Sequence, residues 1–515
     1  MHYTAATAIL AFASAAVAAP QLDKPISPPW TQSTNFRLVA NVTGADLTPS
    51  IQDYVLTSYH VGAGQAAAVL VPNDATNPGR QFYVNGTAED IRYNRGNILT
   101  SGGTPPFPFG IQVSPAPATA VTINAGLGTT SVGLERFPSP VTYLTAPEAA
   151  TYVACNQQLP FSEAIALNVL RTGEAVPAHQ RQTLNLQSGA VLPSAQISYT
   201  IHGSLSLPPI LYPTWFSGLT SSNTWLLGPT RPLSPEKYCI IIPALFGNSQ
   251  STSPSNSDLR PFPAITLYDN VRAQHELLTK GLGITHLRAV LGWSMGGAQT
   301  FQWATQYPEF MDIIVPFCGA ARCATHNQVF LEGQKSALLA IKGVRSAGAG
   351  RDGGERGEWS KDEWEVGMRA FARGYAGWGF SQEFYREKVY ETYLGYKDLE
   401  DFLVGFWEKW AVSKDPENML TMLRTWQTAD VSKQEPYNGD LKAAMQAIKA
   451  KALVLPSKTD LYFPPEDSEI EVSLMRDGVA TLAVFPSIWG HWAGGPGESK
   501  EDGEWLDEQL RGIGL

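Results

Sequence analysis

Hydrophobic positions in the first third of the chain form short runs that are separated by turn-forming residues. Asn-Gly, Gly-Gly and proline-containing turns lie between these runs, which cover residues 36–40, 67–71, 82–84, 111–113 and 121–123. Short strand-like segments at this spacing are typical of antiparallel sandwiches and barrels. We therefore predict a mainly-β, sandwich- or barrel-like domain over residues 19–180.

From about residue 181 the pattern changes to strands that alternate with helices. Strand-like runs occur at residues 195–201, 210–212, 238–242, 287–291 and 313–317. The run at 238–242 is apolar throughout, as expected of a strand that is covered on both faces. Residues 269–280 have the pattern of an amphipathic helix that ends at Gly281. This alternation predicts a parallel sheet flanked by helices over residues 181–515.

Residues 1–18 have the pattern of a secretory signal peptide. An alanine-rich apolar core leads into Ala16-Val17-Ala18, which is an A-x-A cleavage pattern. An alanine-rich terminus without a targeting role is the alternative. No later run reaches the ~20 apolar residues of a transmembrane helix, so we expect no membrane span.

Composition and charge exclude several classes of function. The chain has 515 residues, a length that predicts more than one hydrophobic core. Hydrophobic residues make up 43% of it, a fraction too high for a disordered chain. A net charge of −10 without a Lys/Arg run gives nucleic-acid binding no electrostatic basis. Four cysteines, none in a CxxC pattern, predict neither a disulfide framework nor a metal site.

Residues 292–296, Gly-Trp-Ser-Met-Gly, form a G-x-S-x-G motif between a predicted strand and a predicted helix. Glycines at these positions permit a sharp turn that lifts the serine hydroxyl out of the sheet, as in a nucleophile elbow. We therefore predict Ser294 as a catalytic nucleophile. The alternative is a glycine-rich turn with an incidental serine.

A serine nucleophile needs a base and an acid, which follow it along the chain in this architecture. Only His326 and His491 come after Ser294, and His326 follows it by 32 residues, before another strand could supply the acid. His491 is therefore the predicted base. Asp460 closes a strand-like run 31 residues before His491 and is the predicted acid. The alternatives for the acid are Asp430 and Glu466.

Two backbone N–H groups must stabilise the oxyanion that forms during acyl transfer. The first is predicted at Met295, directly after the nucleophile, and the second in the loop after an early strand. Residues 211–218 occupy that position, and Phe216 is favoured over Trp215. Core packing is the other reading of both aromatic side chains, and it is compatible with a role for the backbone.

The chain from residue 182 onward resembles the homoserine O-acetyltransferase family of α/β-hydrolases. The matching stretches are residues 213–218, 269–274 and 292–297, Asp460 with 463–465, and 490–491. The resemblance implies an α/β-hydrolase fold with a helical lid at about residues 320–445 and leaves room for a homodimer through the lid. It also implies that Arg373 binds the carboxylate of an amino-acid substrate. A solvated arginine on a helix face is the alternative.

Three departures from this family put the homoserine acceptor in doubt. Trp293 stands where the acetyltransferases usually have glycine, Trp378 and Phe380 replace polar acceptor-binding residues, and a Gly/Arg-rich run at 343–357 replaces a helical turn. We expect a serine-dependent acyltransferase that moves an acyl group from acyl-CoA to an alcohol, with no bound cofactor. An esterase or thioesterase with the same triad is one alternative. A secreted binding module with an inactive hydrolase fold is the other.

The N-terminal part, from residue 36 to 156, resembles a small secreted fungal β-domain of unknown function. Asn41 and Asn85 begin the chain's two N-x-[ST] sequons and are candidate glycosylation sites. With the signal pattern they predict secretion, provided that the signal belongs to the same protein as the rest of the chain. Otherwise we expect a cytoplasmic hydrolase domain, because CoA-dependent acyltransferases act inside cells. Two neighbouring genes joined near residue 180 would explain this conflict.

Overall fold

The computed structural model describes most of the chain from residue 35 to residue 515. The residues it leaves out within that range are 43–46, 63, 76, 87–89, 91–95, 103–106, 114–117, 130–131, 136–142, 146–149, 160–161, 172–181, 343–358 and 497–498. The predicted signal peptide and the Gly/Arg-rich run at 343–357 lie outside the described residues.

In the N-terminal part, nine of the described strands pair antiparallel in one sheet. The sheet order is β10-β11-β2-β7-β5-β4-β3, with β1 paired to β2 and β6 to β11; the short strands β8 and β9 pair with each other. The strands are Val55–Gly62 (β1), Gln65–Val71 (β2), Tyr83–Asn85 (β3), Asn97–Gly102 (β4), Phe107–Gln112 (β5), Ala118–Ala120 (β6), Thr122–Ala125 (β7), Leu134–Glu135 (β8), Tyr143–Leu144 (β9), Ala150–Leu159 (β10) and Ser162–Arg171 (β11).

The core of this sheet comes from side chains on its alternating, inward-facing positions. Phe82, Ile98, Ile111 and Ile123 have no exposed surface and pack in one cluster. The strand predicted at residues 36–40 is reduced to two isolated bridges, one of which joins Phe36 to Phe82. The strand-rich character expected of this part is confirmed.

The second sheet has seven strands among the described residues, in the order β14-β16-β15-β17-β18-β19-β20. Only the pair β14–β16 is antiparallel, and the other pairs are parallel. The strands are Tyr199–His202 (β14), Pro209–Leu211 (β15), Cys239–Pro243 (β16), Leu287–Trp293 (β17), Met311–Phe317 (β18), Lys451–Val454 (β19) and Ala480–Leu482 (β20). Every residue of β16 is buried, as its continuous apolar run predicts.

The strand predicted at residues 195–201 is wrong in extent. The structure has Gln182–Asn185 (β12) paired with Val191–Ala195 (β13), and β14 begins only at Tyr199. Between them, the backbone N–H of Gln196 donates to Thr252 Oγ1 at 2.9 Å, and that of Ser198 donates to Ser251 Oγ at 3.0 Å. A polar loop therefore takes the hydrogen bonds that a continuous strand would have made.

Helices cover both faces of this sheet, where they pack in two separate hydrophobic clusters. They are Leu267–Glu276 (α1), Met295–Gln306 (α2), Thr325–Leu339 (α3), Lys361–Gly379 (α4), Gln382–Arg386 (α5), Val389–Thr392 (α6), Leu399–Phe402 (α7), Lys409–Val412 (α8), Pro416–Gln427 (α9), Leu441–Ala447 (α10), Pro465–Leu474 (α11) and Lys500–Ile513 (α12). Shorter 3-10 turns are Thr220–Leu226, Pro254–Asn256 and Gly490–Gly494, and π turns are Leu277–Gly281 and Leu403–Glu408. In the described part of the chain, no helix is both long and apolar enough to cross a membrane.

Helices α3 to α10 are inserted between β18 and β19, where the sequence predicts a lid. Ser360 caps the N-terminus of helix α4: its hydroxyl accepts from the backbone N–H of Glu363, which would otherwise lack a partner within the helix. The helix buries Met368, Phe371 and Tyr375, which recur at helical spacing on one face. Each such side chain contributes about 1.5–3 kcal/mol by leaving water, so this face holds α4 in place.

The N-terminal part contacts the inserted helices through a buried lysine. Lys409, at the start of α8, is 8% exposed, and its Nζ donates to the backbone oxygen of Leu134 in β8 at 2.8 Å. Next to it, Trp410 Nε1 donates to Ser217 Oγ at 3.2 Å. Two consecutive residues of one short helix therefore contact the N-terminal part and the loop after β15.

Candidate active site

Ser294 lies at the sharp turn between β17 and α2. Its φ of 59° and ψ of −125° are a conformation that side-chain-bearing residues adopt at a cost of about 1–3 kcal/mol. A Cβ added to Gly292 would lie 2.3 Å from the backbone carbon of Gly296, and one added to Gly296 would lie 2.8 Å from Pro213 O. The turn therefore needs glycine at both positions, and it points the Ser294 side chain away from the strand.

The structure brings Ser294, His491 and Asp460 into one chain of hydrogen bonds. His491 Nε2 lies 2.9 Å from Ser294 Oγ, and His491 Nδ1 lies 2.8 Å from Asp460 Oδ2. All three residues are 3% exposed. The arrangement can pass a proton from the serine hydroxyl to the imidazole while the carboxylate holds the ring's orientation.

Asp460 is fixed by the loop that follows it. Its Oδ1 accepts from the backbone N–H groups of Tyr462 at 2.8 Å and Phe463 at 3.1 Å, which leaves Oδ2 for His491. The alternative acids lie elsewhere: Asp430 Oδ1 accepts from the backbone N–H of Ser432, and Glu466 is exposed in the first turn of α11. The geometry therefore favours Asp460 over both.

The imidazole of His491 lies among aromatic rings. The indole of Trp293 stacks on it with centroids 4.8 Å apart and planes at 26°, and Tyr462 meets it edge-on at 4.8 Å. Trp293 Nε1 also donates to the backbone oxygen of His491 at 3.0 Å. Reasoning from the sequence missed these contacts, although the aromatic residue directly before Ser294 was a signal for them.

A second set of hydrogen bonds holds the loop that carries His491. Ser487 Oγ donates to Asp502 Oδ2 at 2.7 Å and accepts from the backbone N–H of Trp489 at 3.1 Å. Burial raises the pKa of Asp502 to about 6. Ser381, at the start of α5, donates to the backbone oxygen of Ile488. The loop is therefore tied to the C-terminal helix and to the inserted helices.

Both predicted oxyanion donors lie in the buried centre of the fold. Met295 is the first residue of α2, so its N–H has no partner within the helix, and a helix N-terminus favours negative charge. Phe216 is 2% exposed and its ring stacks on Tyr375 at 5.9 Å. Among the described residues, no group accepts a hydrogen bond from the backbone N–H of Met295, Phe216 or Trp215. The choice between Phe216 and Trp215 stays a prediction.

Arg373 is engaged by two glutamates instead of being free for a substrate. Its Nε donates to Glu408 Oε1 at 2.5 Å, and its Nη1 donates to Glu400 Oε2 at 3.0 Å, with a second contact to Glu400 through Nη2. The hydrogen bonds to Glu400 are the main cause of the raised pKa of this guanidinium. A substrate carboxylate would have to displace these glutamates, so the geometry does not favour the predicted carboxylate-binding role.

Aromatic side chains surround the site on the side of the inserted helices. Phe330 packs on Trp378 at 4.7 Å and on Tyr462 at 5.1 Å, and Trp426 stacks on Phe463 at 5.4 Å. Phe380, which replaces a polar residue of the acetyltransferases, is fully buried against Phe384. Uncharged aromatic rings therefore pack on Tyr462 and Phe463, which themselves contact His491.

The remaining predicted sites lie away from this cluster. Asn41 is exposed, whereas Asn85 is half-buried in β3 and its Nδ2 donates to Asn97 Oδ1 at 2.9 Å. Glycosylation of either residue stays a prediction. His326 is exposed and packs against Trp378 at 5.0 Å. No group of His, Cys, Asp and Glu side chains suited to a metal ion occurs within the residues that the structure describes.

Comparisons with known proteins separate the two parts of the chain. The family described as "alpha/beta hydrolase fold" matches residues 219–332, and a domain of unknown function (DUF7907) matches residues 33–179. The ethyl acetate hydrolase of Pseudomonas veronii is 35% identical over 316 residues, which are 60% of this chain and 86% of that protein. The chain belongs to the α/β-hydrolase family.

This α/β hydrolase is similar to esterases and, at lower identity, to acetyltransferases. The crystal structure of the acetyl esterase MekB superposes with a TM-score of 0.58 at 33% identity and covers 64% of this chain and 93% of its own. The homoserine O-acetyltransferase of Trichormus variabilis is 26% identical over 334 residues, 61% of this chain and 88% of that protein. The predicted fold and the predicted family resemblance are confirmed, and the chain is an enzyme of the hydrolase or acyltransferase type.

The N-terminal part of the hydrolase has its own relative. The antigenic protein SchS34 of Stachybotrys chartarum is 40% identical over 156 residues, which are 29% of this chain and 67% of that protein. The predicted resemblance to a small fungal protein is confirmed. The names of these matches assign no activity to this part of the chain.

Proposed function

We propose that this α/β hydrolase is a carboxylic-ester hydrolase that acts on neutral esters through an acyl-Ser294 intermediate. The observation that carries the proposal is the hydrogen-bonded chain from Ser294 Oγ through His491 to Asp460. Similarity to ethyl acetate and acetyl ester hydrolases at 33–35% identity supports an ester substrate with a small acyl group. We also propose residues 19–180 as a β domain and residues 181–515 as the hydrolase domain, with a lid at about 320–445.

In the proposed reaction Ser294 Oγ attacks the ester carbonyl carbon while its proton moves to His491 Nε2. The carbonyl oxygen becomes an oxyanion, which accepts hydrogen bonds from the N–H groups of Met295 and Phe216. Collapse breaks the bond to the leaving oxygen, and His491 returns the proton to it, so an alcohol departs. Water then attacks the acyl-serine by the same steps, releasing the acid and restoring Ser294.

Two observations support hydrolysis of a neutral ester over transfer to an amino acid. Arg373, the residue that the acetyltransferase resemblance assigns to a substrate carboxylate, is bound by Glu400 and Glu408. The aromatic side chains that pack on this side of the site, Phe330, Trp378, Trp426 and Phe463, are uncharged and cannot form an ion pair with a substrate. A charged acceptor would lose its hydration there without gaining a partner.

Acyl transfer from acyl-CoA to an uncharged alcohol is the second candidate. The depth of the triad favours it, because Ser294 is 3% exposed and an acyl group attached there would meet little bulk water. An alcohol and water compete for the same acyl-serine, so the two functions share every residue named above. No bound cofactor is required for either function.

The test compares hydrolysis with transfer in the full chain. Acid release from ethyl acetate and a p-nitrophenyl ester is measured for the wild type, Ser294→Ala and the surface control Ser473→Ala. We expect Ser294→Ala to lose activity by at least about 10³-fold and Ser473→Ala to keep it. Unchanged activity in Ser294→Ala would overturn both functions.

The same enzyme is then given acetyl-CoA with and without homoserine or a neutral alcohol. Slow release of CoA that neither acceptor accelerates, together with rapid ester hydrolysis, supports the hydrolase. Acetylated alcohol formed faster than acid would replace the hydrolase by the transferase. Acetylated homoserine would contradict the argument from Arg373.

A further inference from the structure

Trp293 contacts the histidine of the site in two independent ways. Its indole lies nearly parallel to the imidazole of His491, with centroids 4.8 Å apart and planes at 26°. Its Nε1 donates a 3.0 Å hydrogen bond to the backbone oxygen of the same histidine. Because Trp293 precedes Ser294 in the chain, one strand end holds both the serine and a ring that touches the base.

Trp293 is itself held from several sides. Trp215 meets it edge-on at 4.9 Å and Trp492 at 5.5 Å, and the side chain is 2% exposed. A Cβ added to Gly495 would lie 2.9 Å from the indole ring, so the glycine permits the observed approach. The indole is therefore packed on several sides in the orientation that faces His491.

The stacked contact has a chemical consequence when the imidazole takes a proton. Accepting the hydroxyl proton of Ser294 makes the His491 ring a cation, and the face of an indole attracts a cation through its negative π face. This attraction is stronger in a desolvated site than in water, and His491 is 3% exposed. A ring placed face-on thus favours the protonated imidazole over the neutral one.

We propose that Trp293 is a positioning residue for the reaction: its N–H holds the histidine loop in register with Ser294, and its ring stabilises the protonated imidazole. The proposal rests on the proposed acyl-serine chemistry and assigns one task to each of the two contacts. It predicts that the two contacts can be separated by substitution.

Other ionisable side chains lie near the imidazole of His491. Asp460 forms a hydrogen bond with Nδ1 of His491, and Tyr462 contacts the imidazole edge-on. The thiol of Cys318 lies beside the turn at Gly494. Burial raises the pKa of Tyr462 and of Cys318 well above their usual values, so both stay uncharged over about pH 5 to 9.

Asp502 does titrate in that range, because burial raises its pKa to about 6. It reaches the histidine loop through Ser487. The variant Asp502→Asn is therefore needed to separate its titration from that of the imidazole.

The test is the rate of labelling by a fluorophosphonate, measured against pH in the full chain. This probe reports how well Ser294 is activated without depending on which ester is the natural substrate. The variants are Trp293→Phe, which keeps a ring but removes the N–H, and Trp293→Leu, which removes both. Trp303→Leu is the matched control: Trp303 is a fully buried tryptophan whose Nε1 donates to Gln274 Oε1 instead. Thermal unfolding establishes that each variant is folded.

Loss of the ring makes the imidazole easier to deprotonate and the transition state harder to reach. We expect Trp293→Leu to label about tenfold more slowly on its plateau and to shift the acid-side half-point of the profile to lower pH by about one unit or less. Trp293→Phe is expected to label more slowly at every pH, with that half-point nearly unchanged. Asp502→Asn and Trp303→Leu should leave the acid-side half-point within error of the wild type.

The outcomes distinguish failure of the proposed function from failure of the role proposed for the Trp293 ring. A wild type that labels no faster than Ser294→Ala would overturn the proposed function itself. A wild type that labels at Ser294, with Trp293→Leu folded and its half-point unmoved, would overturn the role of the Trp293 ring alone. A half-point that moves equally in Trp303→Leu would assign the effect to general loosening of the core and would also overturn it.

Discussion

The hydroxyl of Thr459 bridges the two loops that carry the acid and the base, accepting a 3.0 Å hydrogen bond from the backbone N–H of Gly490. The same hydroxyl donates to the backbone oxygen of Ser487 at 2.9 Å. Thr459 immediately precedes Asp460, and Gly490 immediately precedes His491. One oxygen atom therefore joins the loop of Asp460 to the loop of His491, whose side chains are 2.8 Å apart.

Replacing Thr459 by valine keeps its shape and removes this oxygen. We expect kcat for ester hydrolysis to fall about 10- to 100-fold, because a small displacement of His491 lengthens its contact with Ser294. KM should change little, since the hydroxyl of Thr459 is engaged by the backbone of Gly490 and Ser487. Steady-state kinetics of Thr459→Val and Thr459→Ser check this, and the serine variant, which restores the oxygen, should recover most of the loss. Equal losses in both variants would contradict it.

Replacing Asp460 by asparagine should lower kcat on the order of 10³- to 10⁴-fold, because the amide cannot fix the imidazole tautomer or stabilise its charge. The matched control is Asp430→Asn, since Asp430 was the alternative acid and instead accepts from Ser432. Ester hydrolysis by both variants is the measurement, with circular dichroism to establish folding. A larger loss in Asp430→Asn than in Asp460→Asn would reverse the assignment of the acid.

Replacing Arg373 by methionine should lower stability and leave the hydrolysis of neutral esters within about twofold of the wild type. Glu408, whose side chain is 5% exposed, would lose the guanidinium of Arg373, which costs about 1–3 kcal/mol. Solvent screening of the half-exposed Glu400 pair keeps the cost low in that range. Urea unfolding measures the first effect and kcat/KM the second. A selective loss of activity toward esters that carry a carboxylate would restore the substrate-binding role.

Glu471 makes stability depend on pH. Its Oε1 accepts from the backbone N–H of Ala321 at 2.6 Å, its Oε2 has no hydrogen-bond partner among the described residues, and burial raises its pKa to about 8. A carboxyl whose pKa is higher in the folded protein than in the unfolded one favours folding at low pH. That contribution to the free energy of unfolding is fully present at pH values below the pKa that Glu471 has in the unfolded chain. It is lost as the pH rises through about 8, its pKa in the folded protein.

The variant Glu471→Gln cannot ionise and should be the more stable protein in alkaline solution. We expect it to exceed the wild type by a few kcal/mol near pH 9 and by much less near pH 5. Urea unfolding at both pH values measures the difference. Glu469→Gln, an exposed position on the same helix, is the control and should show no such dependence. A constant difference between Glu471→Gln and the wild type at the two pH values would be inconsistent with this account.

The sequence predicted the parts of the site that depend on local backbone and on chain order. The G-x-S-x-G motif locates Ser294 because steric contact in a sharp turn demands glycine at 292 and 296, and this demand is visible in one short segment. His491 followed from the order of histidines along the chain. The continuous apolar run of β16 likewise predicted a fully buried strand.

Features that arise from contacts between distant segments could not be predicted in this way. Trp293 and His491 are 198 residues apart, and their stacking depends on how β17 and the 490–494 turn approach each other. The pairing of Arg373 with Glu400 and Glu408 depends on how α4, α7 and the π turn pack. The prediction of a strand over residues 195–201 was wrong in extent because the hydroxyls of residues 251 and 252 accept hydrogen bonds from backbone N–H groups in that segment.

The buried amine of Lys409 limits which residues can occupy this position in related chains. Its Nζ donates to a backbone oxygen, so a side-chain substitution at Leu134 leaves this acceptor in place, whereas loss of the N-terminal part removes it. A shorter protein made of the hydrolase part alone would leave that ammonium group without the oxygen of Leu134. The junction therefore couples position 409 to the presence of the N-terminal part, and we expect related chains that carry this part to keep a hydrogen-bond donor at that position.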